Sequence, residues 1–186
     1  MVHIDVDEIA RSGASGMSVV HCPESNLKLA SGMAPVTALV EAGVNVALGT
    51  DGAASNNDLS LLGEMRTAAL LAKAQSGNAR SLPAETVLEM ATINGARALG
   101  IDADTGSLEA GKWADMACIE LDRPHTTPCP DPLSTLVYAA GNGDVSDVWV
   151  AGRAVLEQRK LVTIDEDAVL ARARDWAARF GIQNTA

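Results

Sequence analysis

Short apolar runs alternate with helical periodicity over the first hundred residues, and a different rhythm follows. Residues 17–20 (Met17-Ser18-Val19-Val20) and 44–48 (Val44-Asn45-Val46-Ala47-Leu48) are β-rich and too short for buried helices. Between them, residues 35–42 read as an amphipathic helix with Pro35 in its first turn, where proline is tolerated. Strand, helix and strand in this order predict a βαβ unit with both polar strand ends at one sheet edge. Residues 7–13 read as the end of a short helix. Residues 59–75 are the clearest helix, with Leu62, Met65, Ala69 and Leu70 assigned to one face and Ser76-Gly77-Asn78 as its breaker. A further single helix is predicted over 84–99, opened by Pro83 and stopped by Gly100. With Pro83 as first helical residue, the N-cap falls on Leu82, which has no side-chain oxygen. Glu85, at the third helical position, can reach back to a free N–H and suits the positive end of the helix dipole.

Beyond Gly100, turns rich in Asp and Gly lead into a strand over 114–121 and a Pro-rich loop over 122–132. A short helix is expected over 133–140. Residues 145–150 and 153–157 read as a hairpin about Ala151-Gly152, where positive φ is easy for glycine. Asp165-Glu166-Asp167 then opens a terminal helix ending near Phe180. The fold class predicted is α/β, followed by a β-rich part. There are no internal repeats or low-complexity tracts.

Composition narrows the function classes. A hydrophobic content of 47% argues against disorder, and aromatic residues at 3% leave Ala, Val and Leu to carry the core. A net charge of −10 argues against nucleic acid and anionic membrane surfaces as partners. No apolar run reaches transmembrane length and no signal peptide opens the chain, so a cytoplasmic location is expected. Cys22, Cys118 and Cys129 lack paired spacing and read as reduced thiols. Trp113, Trp149 and Trp176 are assigned to the core or to an interface.

The candidate chemistry lies where the two early strands end. The second runs into Gly49-Thr50-Asp51-Gly52, a carboxylate between two glycines. A lone Asp-Gly pair reads as a tight turn. The first strand, however, also ends in a polar constellation, His21-Cys22-Pro23-Glu24-Ser25-Asn26. Cys22 and His21 are adjacent on a strand and point to opposite faces, a poor arrangement for proton transfer between them. In barrel enzymes, catalytic groups sit at the C-terminal ends of strands. The segments VVHCPESNLKLASG, ALVEAGVNVALGTDGAASNNDLSLLGEMRTAALLAK, MATINGARALG and GSLEAGKWADM together resemble the amidohydrolase superfamily. Within it they are most similar to the branch of 5-methylthioadenosine/S-adenosylhomocysteine deaminases and triazine chlorohydrolase-like enzymes. The similarity extends over about residues 7–177.

The resemblance implies that residues 1–100 are the C-terminal portion of a (β/α)8 TIM barrel. Residues 101–164 would be part of a small β-sandwich with a short helix, and 165–186 a C-terminal helix. It implies a zinc-dependent hydrolytic deaminase of adenosine-type thioether nucleosides, with Asp51 as metal ligand, catalytic proton acceptor and substrate contact. A carboxylate suits the first two tasks, and zinc makes hydroxide available near neutral pH. His21 is read either as a substrate-binding or orienting group, or as a histidine locking its loop through hydrogen bonds. Ser25 and Asn26 are read as hydrogen-bonding the loop backbone, in preference to reaching substrate. Glu64 with Arg66 is read as an ion-pair feature of the barrel wall, and Asn94 as a structural hydrogen-bonder between helix and barrel. The family's His-x-His pair and its later His and Glu ligands have no counterpart here, and the chain has three histidines in all. His3 lies three places after the expected ligand position and reads as a solvated loop residue. The chain is therefore expected to begin at an internal methionine of a longer frame or to have been cut there, and to bind zinc weakly and be inactive alone. The alternatives are a hydrolase of another chloro- or amino-substituted nitrogen heterocycle, and a non-catalytic fragment or subunit completing a partner barrel. A homo-oligomer or partner chain is expected to cover the incomplete barrel.

Overall fold

The computed structural model describes residues 1–181. Helix α1 (Val6–Ser15) is a complete helix rather than the tail of one. Asp5 caps it in a reciprocal box: the Glu8 N–H donates to Asp5 Oδ1 at 2.8 Å, and the Asp5 N–H donates to Glu8 Oε2 at 3.0 Å. Strand β1 (Ser18–His21) follows, then α2 (Pro23–Lys28), α3 (Val36–Glu41) and β2 (Asn45–Leu48). As expected from the apolar pattern, β1 and β2 pair in parallel, with Ser18 opposite Asn45 and His21 opposite Leu48. A Cβ at Gly13 would lie 2.1 Å from the Ala42 carbonyl oxygen, so glycine is what lets α1 close onto the turn after α3.

After β2 come the short α4 (Ala53–Asn56), the long α5 (Leu61–Ser76), α6 (Ala84–Ala91) and α7 (Ile93–Leu99). Three local expectations need correction here. The face that α5 buries is Met65, Ala68, Ala69 and Ala72, whereas Leu70 is 52% exposed. The stretch 84–99 is two helices, broken at Thr92, whose φ of −130° and ψ of −98° are not helical. The Thr92 hydroxyl donates back to the Leu88 carbonyl at 2.7 Å, a side-chain bond that bends helices. Finally, Pro83 is the N-cap itself, and Glu85 makes no capping bond.

The remaining elements are β3 (Met116–Ile119), α8 (Pro132–Tyr138), a 3₁₀ turn (Asn142–Asp144), β4 (Val145–Val150), β5 (Arg153–Glu157), β6 (Lys160–Leu161) and α9 (Glu166–Arg179). The four strands form an antiparallel sheet in the order β3-β4-β5-β6. The predicted hairpin about Gly152 is present; β3 is shorter than expected, and β6 is a short strand that the hydrophobic pattern did not mark. The predicted terminal segment 165–186 is described as far as residue 181.

The main core brings together β1 and β2 with α3, α5, α6 and α8; Leu39, Ala69, Val87, Met90 and Val137 are fully enclosed. Helix α8 thus packs on α5 and α6 although it lies between strands of the other sheet. Asn94 does the structural work assigned to it. Its amide donates to the Val46 carbonyl at 3.0 Å, and its own carbonyl accepts from the Asn45 amide at 3.0 Å, tying α7 to β2. None of the three tryptophans is a core residue. Trp113 and Trp176 are exposed, and Trp149 is half-buried. The three cysteines are unpaired, as expected. Among the described residues, no helix is long and apolar enough to cross a membrane.

Candidate active site

Parallel pairing brings the ends of β1 and β2 side by side. The pairing extends one step further, with the Gly49 N–H donating to the His21 carbonyl at 3.0 Å. A Cβ at Gly49 would meet Val20 Cγ1 at 2.8 Å and Cys22 Sγ at 3.3 Å, so the two exits approach this closely only because the position has no side chain. Two residues on, Asp51 adopts a left-handed φ of 61°. A non-glycine residue held there costs on the order of 1–3 kcal/mol, and such strain concentrates at functional sites.

Three donors hold that geometry. Ser55 Oγ donates to Asp51 Oδ2 at 2.7 Å, Ser25 Oγ donates to the same oxygen at 2.8 Å, and the Gly52 N–H donates to Oδ1 at 2.8 Å. The Ser55 bond first, then those of Ser25 and Gly52, hold the Asp51 carboxyl below the usual carboxylate range. Asp51 is therefore an exposed, ionised carboxylate with Oδ2 doubly occupied and Oδ1 the less encumbered oxygen. Ser25 lies in the short helix α2, not in an open loop, and its hydroxyl bonds Asp51 instead of the local backbone. The sequence reading gave Ser25 to the loop backbone or the substrate rather than to Asp51, and did not mark Ser55. The spacing of Ser55, four residues after Asp51 where α4 begins, was the available signal for one of them.

His21 and Asp51 border one recess of about 230 Å³, together with Val20, Cys22, Ser25 and Asn26. His21 is 6% exposed, and burial holds its imidazole at a pKa of about 4, so the ring is neutral at pH 7. Among the described residues its ring nitrogens make no hydrogen bond; a loop-locking bond of the expected kind is not present. Burial, with the charges of Glu64 and Asp51, pushes the Cys22 thiol up and leaves it protonated, consistent with its having no nucleophilic role. His3 is exposed and faces a different recess, with Met1, Glu8 and Arg11.

The Glu64–Arg66 ion pair does not form. Arg66 Nη2 donates to the Ala140 carbonyl at 2.6 Å, whereas Glu64 is fully buried and accepts from the Asn56 amide at 2.7 Å and the Glu24 N–H at 3.1 Å. Residues 64 and 66 on a helix point about 200° apart, so the two side chains leave in different directions. The described residues do not make up a zinc site. No group of three or more His, Cys, Asp or Glu side chains converges, and a catalytic zinc takes about three protein ligands. Asp51 offers one carboxylate toward such a site.

Residues 1–155 match the model of the amidohydrolase family. A 5-methylthioadenosine/S-adenosylhomocysteine deaminase of Syntrophobacter fumaroxidans is 51% identical over 173 residues, covering 93% of this chain and 40% of that protein. One of Halobacterium salinarum is 51% identical over 184 residues, covering 97% and 42%. The chain thus spans about 40% of the length of the curated relatives it matches. Among solved structures, an adenosine deaminase from Xanthomonas campestris with bound zinc superposes with a TM-score of 0.94 at 52% identity, covering 96% of this chain and 41% of that one. A zinc-complexed atrazine chlorohydrolase from Arthrobacter aurescens superposes at 0.88 with 32% identity, covering 94% and 39%.

Proposed function

The chain belongs to the amidohydrolase family, and from that premise we propose that it is the C-terminal portion of a zinc-dependent hydrolytic deaminase acting on 5-methylthioadenosine or S-adenosylhomocysteine. The observation that carries the proposal is Asp51, a strained, ionised carboxylate at the end of a parallel strand, in a chain about 50% identical to deaminases of that name. In this reading β1 and β2 are the last strands of a barrel, and β3 to β6 are part of a small sandwich. Asp51 serves as one metal ligand and as a proton acceptor, with Oδ1 turned to the reacting centre because Oδ2 is taken by two serines. Neutral His21 borders the substrate side of the recess. The remaining ligands belong to the part of the relatives that this chain does not match, supplied on the same or another polypeptide. That partner segment would also cover the free edges of the two-stranded sheet.

Two measurements test this. The chain alone should bind zinc weakly and release no ammonia from 5-methylthioadenosine. Fused behind the portion of the Syntrophobacter fumaroxidans relative that it does not match, it should bind zinc stoichiometrically and release ammonia. A folded fusion that does neither would sink the proposal, and chloride release from a chlorotriazine in its place would favour the heterocycle hydrolase that the 32% identity to atrazine chlorohydrolase keeps in view. Tight zinc and turnover by the chain alone would overturn the composite site.

A further inference from the structure

We infer that Glu64 is a positioning residue for Asp51, gripping from behind the two segments whose serines hold the Asp51 carboxylate. The inference rests on the role proposed for Asp51 and deepens it. Glu64 sits in the first turn of α5, fully buried, and among the described residues it takes part in no salt bridge. A buried carboxylate without a cation is costly, so its surroundings need an explanation. Its two oxygens go to two different places. Oε1 accepts from the Asn56 amide at 2.7 Å, and Asn56 follows Ser55 directly in α4. Oε2 accepts from the Glu24 N–H at 3.1 Å, and Glu24 directly precedes Ser25 in α2. Those two serines are the ones that meet on Asp51 Oδ2. One side chain therefore sets the spacing between α2 and α4, and that spacing decides whether both hydroxyls reach the same oxygen.

Two further contacts stiffen the grip. Thr67 Oγ1, one turn along α5, donates to Glu24 Oε1 at 2.8 Å, and Asn56 Oδ1 accepts from the Leu59 N–H at 2.6 Å. The choice of a carboxylate follows from the count of donors. Two N–H groups point at this side chain, and a carboxylate offers an acceptor to each, whereas an amide offers only one. An apolar residue would orphan both donors. The groups facing Glu64 are Glu24 from α2, Asp58 from the segment before α5, and the Cys22 thiol. Burial first, then Glu24 and Asp58, raise Glu64 to about 7 against the opposing Glu24 N–H.

The test reads the serine hydroxyls of the 186-residue chain directly. Proton exchange at Ser25 and Ser55 is followed by NMR at one pH above 7, where Glu64 is largely ionised, in Glu64→Met, which keeps the length and loses both acceptors. Glu64→Gln keeps one acceptor, and Val87→Ala is a destabilised core control remote from these bonds. Hydroxyl exchange should accelerate about tenfold or more in Glu64→Met, as expected when a hydrogen bond to a charged group is lost. It should accelerate at one serine in Glu64→Gln, and at neither in Val87→Ala. Protected hydroxyls in folded Glu64→Met, or equal acceleration in Val87→Ala, would overturn the inference. Should Glu64→Met not fold, Glu64→Gln decides: faster exchange at one serine supports the role, and unchanged exchange at both refutes it. No metal or turnover enters these readouts, so a failed fusion enzyme and a failed grip remain distinguishable.

Discussion

The βαβ half and the β3–β6 half of this chain handle polar groups in opposite ways. Around β1 and β2 the core is closed, and polar side chains are driven inside: His21, Ser25, Asn56 and Glu64 are all buried. Around the antiparallel sheet most polar pairs stay at the surface, although Asp144 is buried and meets His125 and the Gly141 N–H. Arg159 meets Glu120 at 2.5 Å with both side chains more than a third exposed, and α9 buries no residue. Surface ion pairs of that kind contribute little, with a median near 0–1 kcal/mol. Buried polar networks have high stakes in both directions, because every member needs its partner. The difference is one of placement: one half gathers four buried polar groups behind an exposed carboxylate, and the other leaves most of its polar pairs at the surface.

The largest expected effect breaks activity without breaking the fold. In the fusion enzyme described above, Asp51→Asn should lower turnover by about 10²- to 10⁴-fold, because a proton acceptor is lost. Stability should change little, since asparagine tolerates the left-handed φ of 61° better than most residues. Near-normal kcat with full zinc content would return Asp51 to the status of a turn residue.

Next in size, Leu39→Ala should destabilise the chain by about 2–5 kcal/mol in urea unfolding, as for other enclosed large-to-small changes. A loss under 1 kcal/mol would mean that the βαβ half is not the closed core described.

A third prediction separates two buried titrating groups by sign. Glu64 is raised from 4.5 to about 7 in the fold, so the native state holds its proton more tightly. Its contribution favours the fold at low pH and is lost as pH rises from 4.5 to about 7. His21 is lowered from 6.5 to about 4, so its contribution is complete above 6.5 and is lost as pH falls toward 4. Between 4.5 and 6.5 the two oppose each other. The stability of Glu64→Gln relative to the parent should therefore rise by roughly 2–3 kcal/mol from pH 4.5 to 7. A difference independent of pH across that window would show that Glu64 titrates normally.

The smallest effect tests the other half. Val169→Ser and Leu170→Ser on α9 should each change stability by no more than about 0.5 kcal/mol, because both positions are exposed. A loss above 1 kcal/mol would show that α9 is packed in solution and would erase the contrast.

Much of the architecture was already in the local pattern. The parallel pair, the long helix and its stop, the hairpin about Gly152 and the Asp165 cap are each specified by residues a few positions apart. Asp51 was visible for the same reason, since a strand end followed by Asp-Gly is a local signature. The helix break at Thr92 and the exposure of Leu70 were not visible, because backbone competition and the direction of the core are settled by neighbours in space. Thus the sequence by itself determined most of the longer elements, their order and the carboxylate that the second strand presents. Only the tertiary structure decided what holds that carboxylate. Ser25 is 26 residues from Asp51 and Glu64 is 40 from Glu24, and hydrogen bonds across such separations exist only once packing has brought the segments together.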